Sequence, residues 1–234
     1  MTVKFFSIFN LVICVGLLGC TSKSSLSFLA VKCEKGDLES CLQYLNLYEQ
    51  NKSLVDDTEF ENVIKQAAKL GDTKAMFSLA VRAAQPYESP KDINSAIHWF
   101  SEASVAGDSL SSLNLGLIYD HGIGVNSDYI KARYWYKQAA DLGNPEGLFN
   151  LAVYLDEGLG GEIDKSAAVR AYTLAAERGH ARSAYNLALM LGRGEGIDQN
   201  WNSALKMLKY SQKLGYEPAN QLLVKWSKVE RKTD

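Results

Sequence analysis

The 234-residue sequence predicts an all-α fold, an α-solenoid of stacked antiparallel helix pairs, and three observations predict it. Glycine recurs at Gly71, Gly107, Gly143, Gly179 and Gly215, a constant step of 36 residues that marks a repeat architecture. Within each step, apolar residues follow helical spacing twice, with a turn between the two runs. Each pair carries more apolar surface than it can bury alone, so neighbouring pairs must stack. A composition of 47% hydrophobic and 22% charged residues supports a sizeable core and excludes a disordered chain. The net charge of -2 gives no large single-sign field, which argues against nucleic acid as a partner.

Residues 1–19, MTVKFFSIFNLVICVGLLG, carry Lys4, no acidic residue, and an apolar run from Leu11 to Leu18 that is too short for a permanent span. That combination predicts a secretory signal. The run ends in Leu17-Leu18-Gly19-Cys20, which resembles the lipobox of bacterial lipoproteins, with Leu18 departing from the usual second position. The resemblance implies that Cys20 is acylated and becomes the first mature residue, so that the acyl chains hold the protein in a membrane. Thr21 stands where an aspartate would favour inner-membrane retention, so the expected location is the bacterial cell envelope, as an outer-membrane lipoprotein facing the periplasm. Residues 20–30 are then expected to form a lipidated N-terminus and tether, and residues 31–234 the solenoid.

Of the four cysteines, Cys14 leaves with the signal and Cys20 takes lipid, which leaves Cys33 and Cys41. Two thiols in an oxidising compartment are expected to pair. On one continuous helix, eight residues would hold them roughly 12 Å apart, beyond disulfide range. However, Gly36 and Asp37 lie between them and read as a C-cap and a helix start, so a turn between antiparallel helices brings them together. The alternative is a pair of buried free thiols. Metal binding is not expected, since no histidine or further cysteine lies nearby.

The blocks open at residues 36, 71, 107, 143 and 179, and a C-terminal cap opens at 215. In the block from Gly107, Ser111, Leu115, Gly116 and Tyr119 mark one face of a first helix. Ala132, Trp135, Tyr136, Ala139 and Ala140 mark one face of a second. The loop between them supplies Gly122, Gly124 and, as an N-cap, Asp128. Alanines and glycines permit close helix approach, and the aromatic residues Trp99 with Phe100, Trp135 with Tyr136, and Tyr172 are expected to fill the adjoining gaps. The two glycines return at Gly158 and Gly160 and at Gly194 and Gly196. Threefold recurrence, with no preceding strand and no following Lys-Ser/Thr pair, excludes a phosphate-binding loop. In the block from Gly71, AAQPYESPKD replaces the two-glycine turn, so that loop should differ in shape.

The runs LNLGLIYDHGIGV and DYIKARYWYKQAADLG, with their counterparts FNLAVYLDEGLGGEIDKSAAVRAYTLAAERG and YNLALMLGRGEGIDQNWNSALKMLKYSQKLG, resemble the Sel-1-like repeat, a relative of the tetratricopeptide repeat. The resemblance covers residues 36–214. Cysteine-rich relatives pair thiols eight residues apart across consecutive helices, a spacing that Cys33 and Cys41 match. The resemblance implies a protein-interaction scaffold without a cofactor. In its finer form it implies an immunity lipoprotein, since chains of this type are similar to those encoded beside type VI secreted phospholipases. The rival it implies is a penicillin-binding or β-lactamase-like enzyme.

For chemistry the sequence offers little. His98, His121 and His180 occupy three different block positions, so a shared metal is not expected, and no nucleophile has an evident base at recurring spacing. Carboxylate pairs such as Asp56 with Asp57 read as helix caps. The candidate binding surface is the concave face lined by the first helices. There Asn114, Asn150 and Asn186 recur seven residues after each opening glycine, with Ile118, Tyr154 and Met190 one turn later. As a binding surface, the asparagines would hydrogen-bond the backbone of a protein or peptide partner whose side chains meet the apolar column. The reading weighed above it is that the asparagines satisfy nearby backbone groups and the apolar residues pack between repeats.

Overall fold

The computed structural model describes residues 23–50, 57–86 and 92–230. The expected signal at residues 1–19, the lipidation site Cys20, Asp56, and residues 87–91 of the loop in the Gly71 block lie outside them. The described residues form helices and no strand. A first helix α1 (Lys23–Glu34) precedes five antiparallel pairs: α2 (Leu38–Gln50) with α3 (Asp57–Lys69), α4 (Thr73–Ala83) with α5 (Ile93–Val105), α6 (Ser109–His121) with α7 (Tyr129–Asp141), α8 (Pro145–Glu157) with α9 (Lys165–Glu177), and α10 (Ala181–Arg193) with α11 (Trp201–Lys213). The last helix, α12 (Glu217–Glu230), packs on α11 and closes the stack.

Local chemistry sets the helix limits. Asp72, Asp108 and Asn144 cap α4, α6 and α8 by accepting the amide three residues on, at 2.7–2.9 Å. Asp92, Asp128, Asp164 and Asn200 cap the second helices in the same way. The first helices α6, α8 and α10 stop at Gly122, Gly158 and Gly194, each left-handed, where a side chain would be strained. The block from Gly71 departs as its sequence predicts: α4 ends on Ala84 in the right-handed region.

The apolar core runs the length of the stack. Phe100, Tyr136 and Tyr172 are fully buried at matching places in successive pairs, and half-buried Trp135 packs against the cluster around Phe100 and Leu115. Small residues permit this spacing: a Cβ on Gly116 would lie 2.5 Å from the Tyr136 ring, and one on Gly147 would lie 2.5 Å from Ala139. The first helices are more enclosed than one apolar face implies. In α6, residues 111–116 and Ile118 are all buried, because α5, α7 and α8 surround the helix.

Successive pairs also interlock through backbone. A Cβ on Gly160 would lie 2.1 Å from the carbonyl oxygen of Tyr129, and one on Gly196 would lie 2.4 Å from that of Lys165. The second glycine of these two loops therefore rests on the first turn of the preceding pair's second helix. Arg133 Nη1 donates to the Glu162 carbonyl at 3.1 Å, and Ser166 Oγ donates to the Gly196 carbonyl at 3.0 Å, tying down the same seams.

The N-terminal end corrects one expectation. Residues 23–30, assigned from sequence to a tether, belong to α1, whose Leu26, Ala30 and Cys33 lie on one buried stripe. The spacing i, i+4, i+7 places them against α2 and α3, so burial of that stripe holds the segment helical. Cys33 and Cys41 form the expected disulfide across the turn at Gly36, with Cα atoms 4.7 Å apart. Among the described residues, no helix is long and apolar enough to cross a membrane.

Candidate functional site

The structure moves the expected apolar binding column indoors. Ile118, Tyr154 and Met190 are 0%, 3% and 4% exposed, and each lies within the packed interior. The binding reading of this column is corrected and the packing reading holds: one turn before the glycine cap, the first helix faces its own second helix and its neighbours. Tyr154 packs edge-on against Tyr136 at 5.2 Å, and Tyr136 donates to Asp120 Oδ2 at 2.8 Å. Burial first, and the Asp120 carboxylate second, push the Tyr136 hydroxyl far above the usual phenol range. Of the asparagines, Asn114 is buried and Asn150 half-buried. Asn186 Nδ2 donates to the Tyr172 hydroxyl at 3.0 Å. Burial pushes Tyr172 up to about 12, with the Asn186 bond opposing it. Asn186 is thus spent on internal packing.

The three histidines lie apart: His98 beside Trp99 on α5, His121 closing α6, and His180 capping α10. Among the described residues, no cluster of His, Cys, Asp or Glu could hold a metal ion. His180 has a structural role that the sequence reading passed over. Its Nδ1 accepts the Ser183 amide at 3.2 Å, which leaves Nε2 to donate to Glu146 Oε2 at 3.0 Å. That bond, opposed by burial and aided by the nearby Arg182 charge, holds the Glu146 carboxyl below its usual range. The detectable signal was register, since His180 follows its glycine as Asp72, Asp108 and Asn144 follow theirs.

A run with the spacing of a Ser-x-x-Lys nucleophile also escaped the sequence reading: Ser203-Ala204-Leu205-Lys206. Ser203 lies in the first turn of α11, its amide donating to Asn200 at 2.9 Å, and Lys206 is exposed.

An open concavity among the described residues lies on the other layer of helices. Between the second helices α7 and α9 runs a groove of about 780 Å³. Its floor is α8, through Leu148, Leu151 and Leu155. Seven residues of helix separate the first and last of these, roughly 10 Å of apolar track. Ile130 and Tyr134 on α7 and Leu174 on α9 line the walls and stay 72%, 54% and 43% exposed. Arg133, Lys137, Arg170 and Arg178 line it too, against one carboxylate, Asp141, which pairs with Lys137 at 2.6 Å. The groove is therefore apolar along its length and cationic at its edges.

The comparisons with known proteins fit this architecture. The Sel1 repeat model matches residues 73–108, 109–144, 145–180 and 181–216. A protective antigen of uropathogenic Escherichia coli strains displaying an SLR fold superposes with a TM-score of 0.72 and 29% identity, over 85% of this chain and 43% of that one. The chain thus spans less than half the length of that protein. A Sel1 repeat protein from Oxalobacter formigenes superposes with a TM-score of 0.59 and 24% identity, over 87% of each chain. No curated protein matches the chain. The four consecutive matches cover more than half of the sequence and coincide with the stacked helix pairs, so the chain belongs to the Sel1 repeat proteins.

Proposed function

We propose that this Sel1 repeat chain is a lipid-anchored periplasmic scaffold that holds a protein or peptide partner against its stacked helices. The observation that supports this reading most is the interlocked stack itself. Backbone seams at Tyr129 with Gly160 and at Lys165 with Gly196 fix neighbouring pairs against each other, so an extended surface is ordered before any partner arrives. Preorganisation of that kind lowers the entropic cost of binding. The anchor half of the proposal rests on Cys20 and the apolar run before it. Replacing Cys20 by Ser should abolish palmitate incorporation and release the protein from the membrane fraction; retention in that fraction would refute the anchor. For the scaffold half, the full chain is cross-linked in intact cells and recovered from solubilised envelopes. One partner should be enriched over an unrelated lipoprotein, and equal recovery from both would refute binding.

The finer proposal is an immunity role against a secreted phospholipase. A neighbouring phospholipase gene whose toxicity is suppressed by co-expression of this chain is the expected result, and unchanged toxicity refutes it. The catalytic rival has one observation in its favour, the Ser203 and Lys206 spacing at a helix start. Turnover of a chromogenic β-lactam that disappears in Ser203→Ala would establish the rival and overturn the scaffold as the main activity.

A further inference from the structure

We infer that the groove between α7 and α9 is a docking site for an acidic segment of a protein partner, one that alternates carboxylates with apolar side chains. This inference rests on the scaffold reading and assigns it a face and a partner chemistry. The first support is the groove's composition. Leu151 and Leu155 on the floor, with exposed Ile130, Tyr134 and Leu174 on the walls, offer apolar surface that a purely ionic ligand would leave wet. Arg133, Lys137, Arg170 and Arg178 surround it, with Asp141 as the one lining carboxylate. Such an edge selects a ligand carrying negative charge on both sides of an apolar strip.

Charge segregation over the three C-terminal pairs is the second support, and it extends beyond the groove. The second helices α7, α9 and α11 hold eight Lys and Arg residues against two acids, Asp141 and Glu177. The first helices α6, α8 and α10 hold four acids, Asp120, Glu146, Asp156 and Glu157, against two arginines. A chain with a net charge of -2 thus turns a cationic face outward on the C-terminal part of one layer, where α3 and α5 of the same layer hold more acids than bases. Exposed Lys206, Lys209 and Lys213 carry that face on from α9 to α11, at the places that Arg170, Thr173 and Glu177 hold one block earlier.

Two other occupants fit less well. The chain's own N-terminal 22 residues contain no carboxylate, so they do not complement the cations. A bilayer reached through an acylated Cys20 would engage the chain at its N-terminal end, whereas this face is built by α7, α8 and α9. A protein segment satisfies both the apolar track and the charge.

The test uses the full chain in zwitterionic detergent and a fluorescein-labelled 18-residue peptide with leucine at every third or fourth position and glutamate between. Its counterpart with lysine for glutamate is the control. The acidic probe should bind saturably, the basic one should not, and Lys137→Glu with Arg170→Glu should weaken binding by about tenfold or more. Leu174→Asp should weaken it too, whereas Arg170→Lys should retain it. Circular dichroism verifies that each variant is folded. No binding of the acidic probe, or equal binding by the charge-reversed pair, overturns the inference. So does binding of phosphatidylglycerol vesicles or a single-stranded oligonucleotide that depends on Lys137 and Arg170 while the acidic peptide is ignored. The envelope cross-linking above separates the two readings. A partner retained by Lys137→Glu/Arg170→Glu removes this groove and leaves the scaffold, whereas the absence of any enriched partner removes the scaffold.

Discussion

Replacing Gly160 by alanine probes how neighbouring pairs are joined. Gly160 has φ of +65°, and a Cβ there would lie 2.1 Å from the Tyr129 carbonyl oxygen, inside any allowed contact. The left-handed backbone costs an alanine about 1–2 kcal/mol. Relieving the overlap means lifting the loop off α7, an overpacking cost of about 1–3 kcal/mol, and it strains the Arg133 bonds to the Leu159 and Glu162 carbonyls. Net destabilisation should be about 3 kcal/mol. Gly179 supplies the control, because its φ is +83° but nothing lies within 4 Å of its Cβ position. Gly179→Ala should cost only about 1 kcal/mol, since the backbone penalty is partly offset by a stiffer unfolded chain. Urea unfolding followed by circular dichroism measures both. Equal costs for the two variants would refute the backbone seam and leave apolar packing as the main joint between pairs.

Three further outcomes follow from the described contacts. Reducing or removing the Cys33–Cys41 disulfide should lower stability by about 2.5 kcal/mol in the chain-entropy model, read as a lower urea midpoint with reductant. A double-mutant cycle over Asn186→Ala and Tyr172→Phe should return a coupling of about 1 kcal/mol, while either single variant leaves a polar group unpaired and costs more than half of that; zero coupling would contradict the hydrogen bond. Glu146 has a lowered folded-state pKa, so its contribution to stability is complete above its ordinary value of 4.5 and is lost as pH falls through the lower folded value. Urea midpoints measured from pH 6 down to pH 3 should therefore fall less steeply in Glu146→Gln than in the parent chain.

The fold was legible because its signal is periodic. A glycine every 36 residues, a capping residue directly after it and an aromatic residue on the second helix all recur at the same places, and each has a local physical cause. The interior of the stack was less legible. Ile118, Tyr154 and Met190 form a column in the sequence whether they face a partner or face the next pair, and periodicity alone does not tell these apart. The groove was missed for a related reason. Leu151 and Leu155 come from α8, Tyr134 from α7 and Arg170 from α9, so no single stretch of sequence shows an apolar floor with cationic edges. The imidazole of His180 suggests a metal ligand by side-chain type, whereas its register directly after Gly179 makes it the cap of α10.

The contacts of Gly160 with Tyr129 and of Gly196 with Lys165 span the same 31 positions, which turns the chain into a ruler with one graduation. Excising residues 143–178, one whole step, would carry Gly196 onto the carbonyl of Tyr129 and close the cut with a joint of native kind. Removing half a step from residue 143 would instead bring Arg178 to that place and set a side chain where only a hydrogen fits. Across these two joints the chain lengthens or shortens cleanly by complete modules, so its reach is set by counting rather than by gradual change.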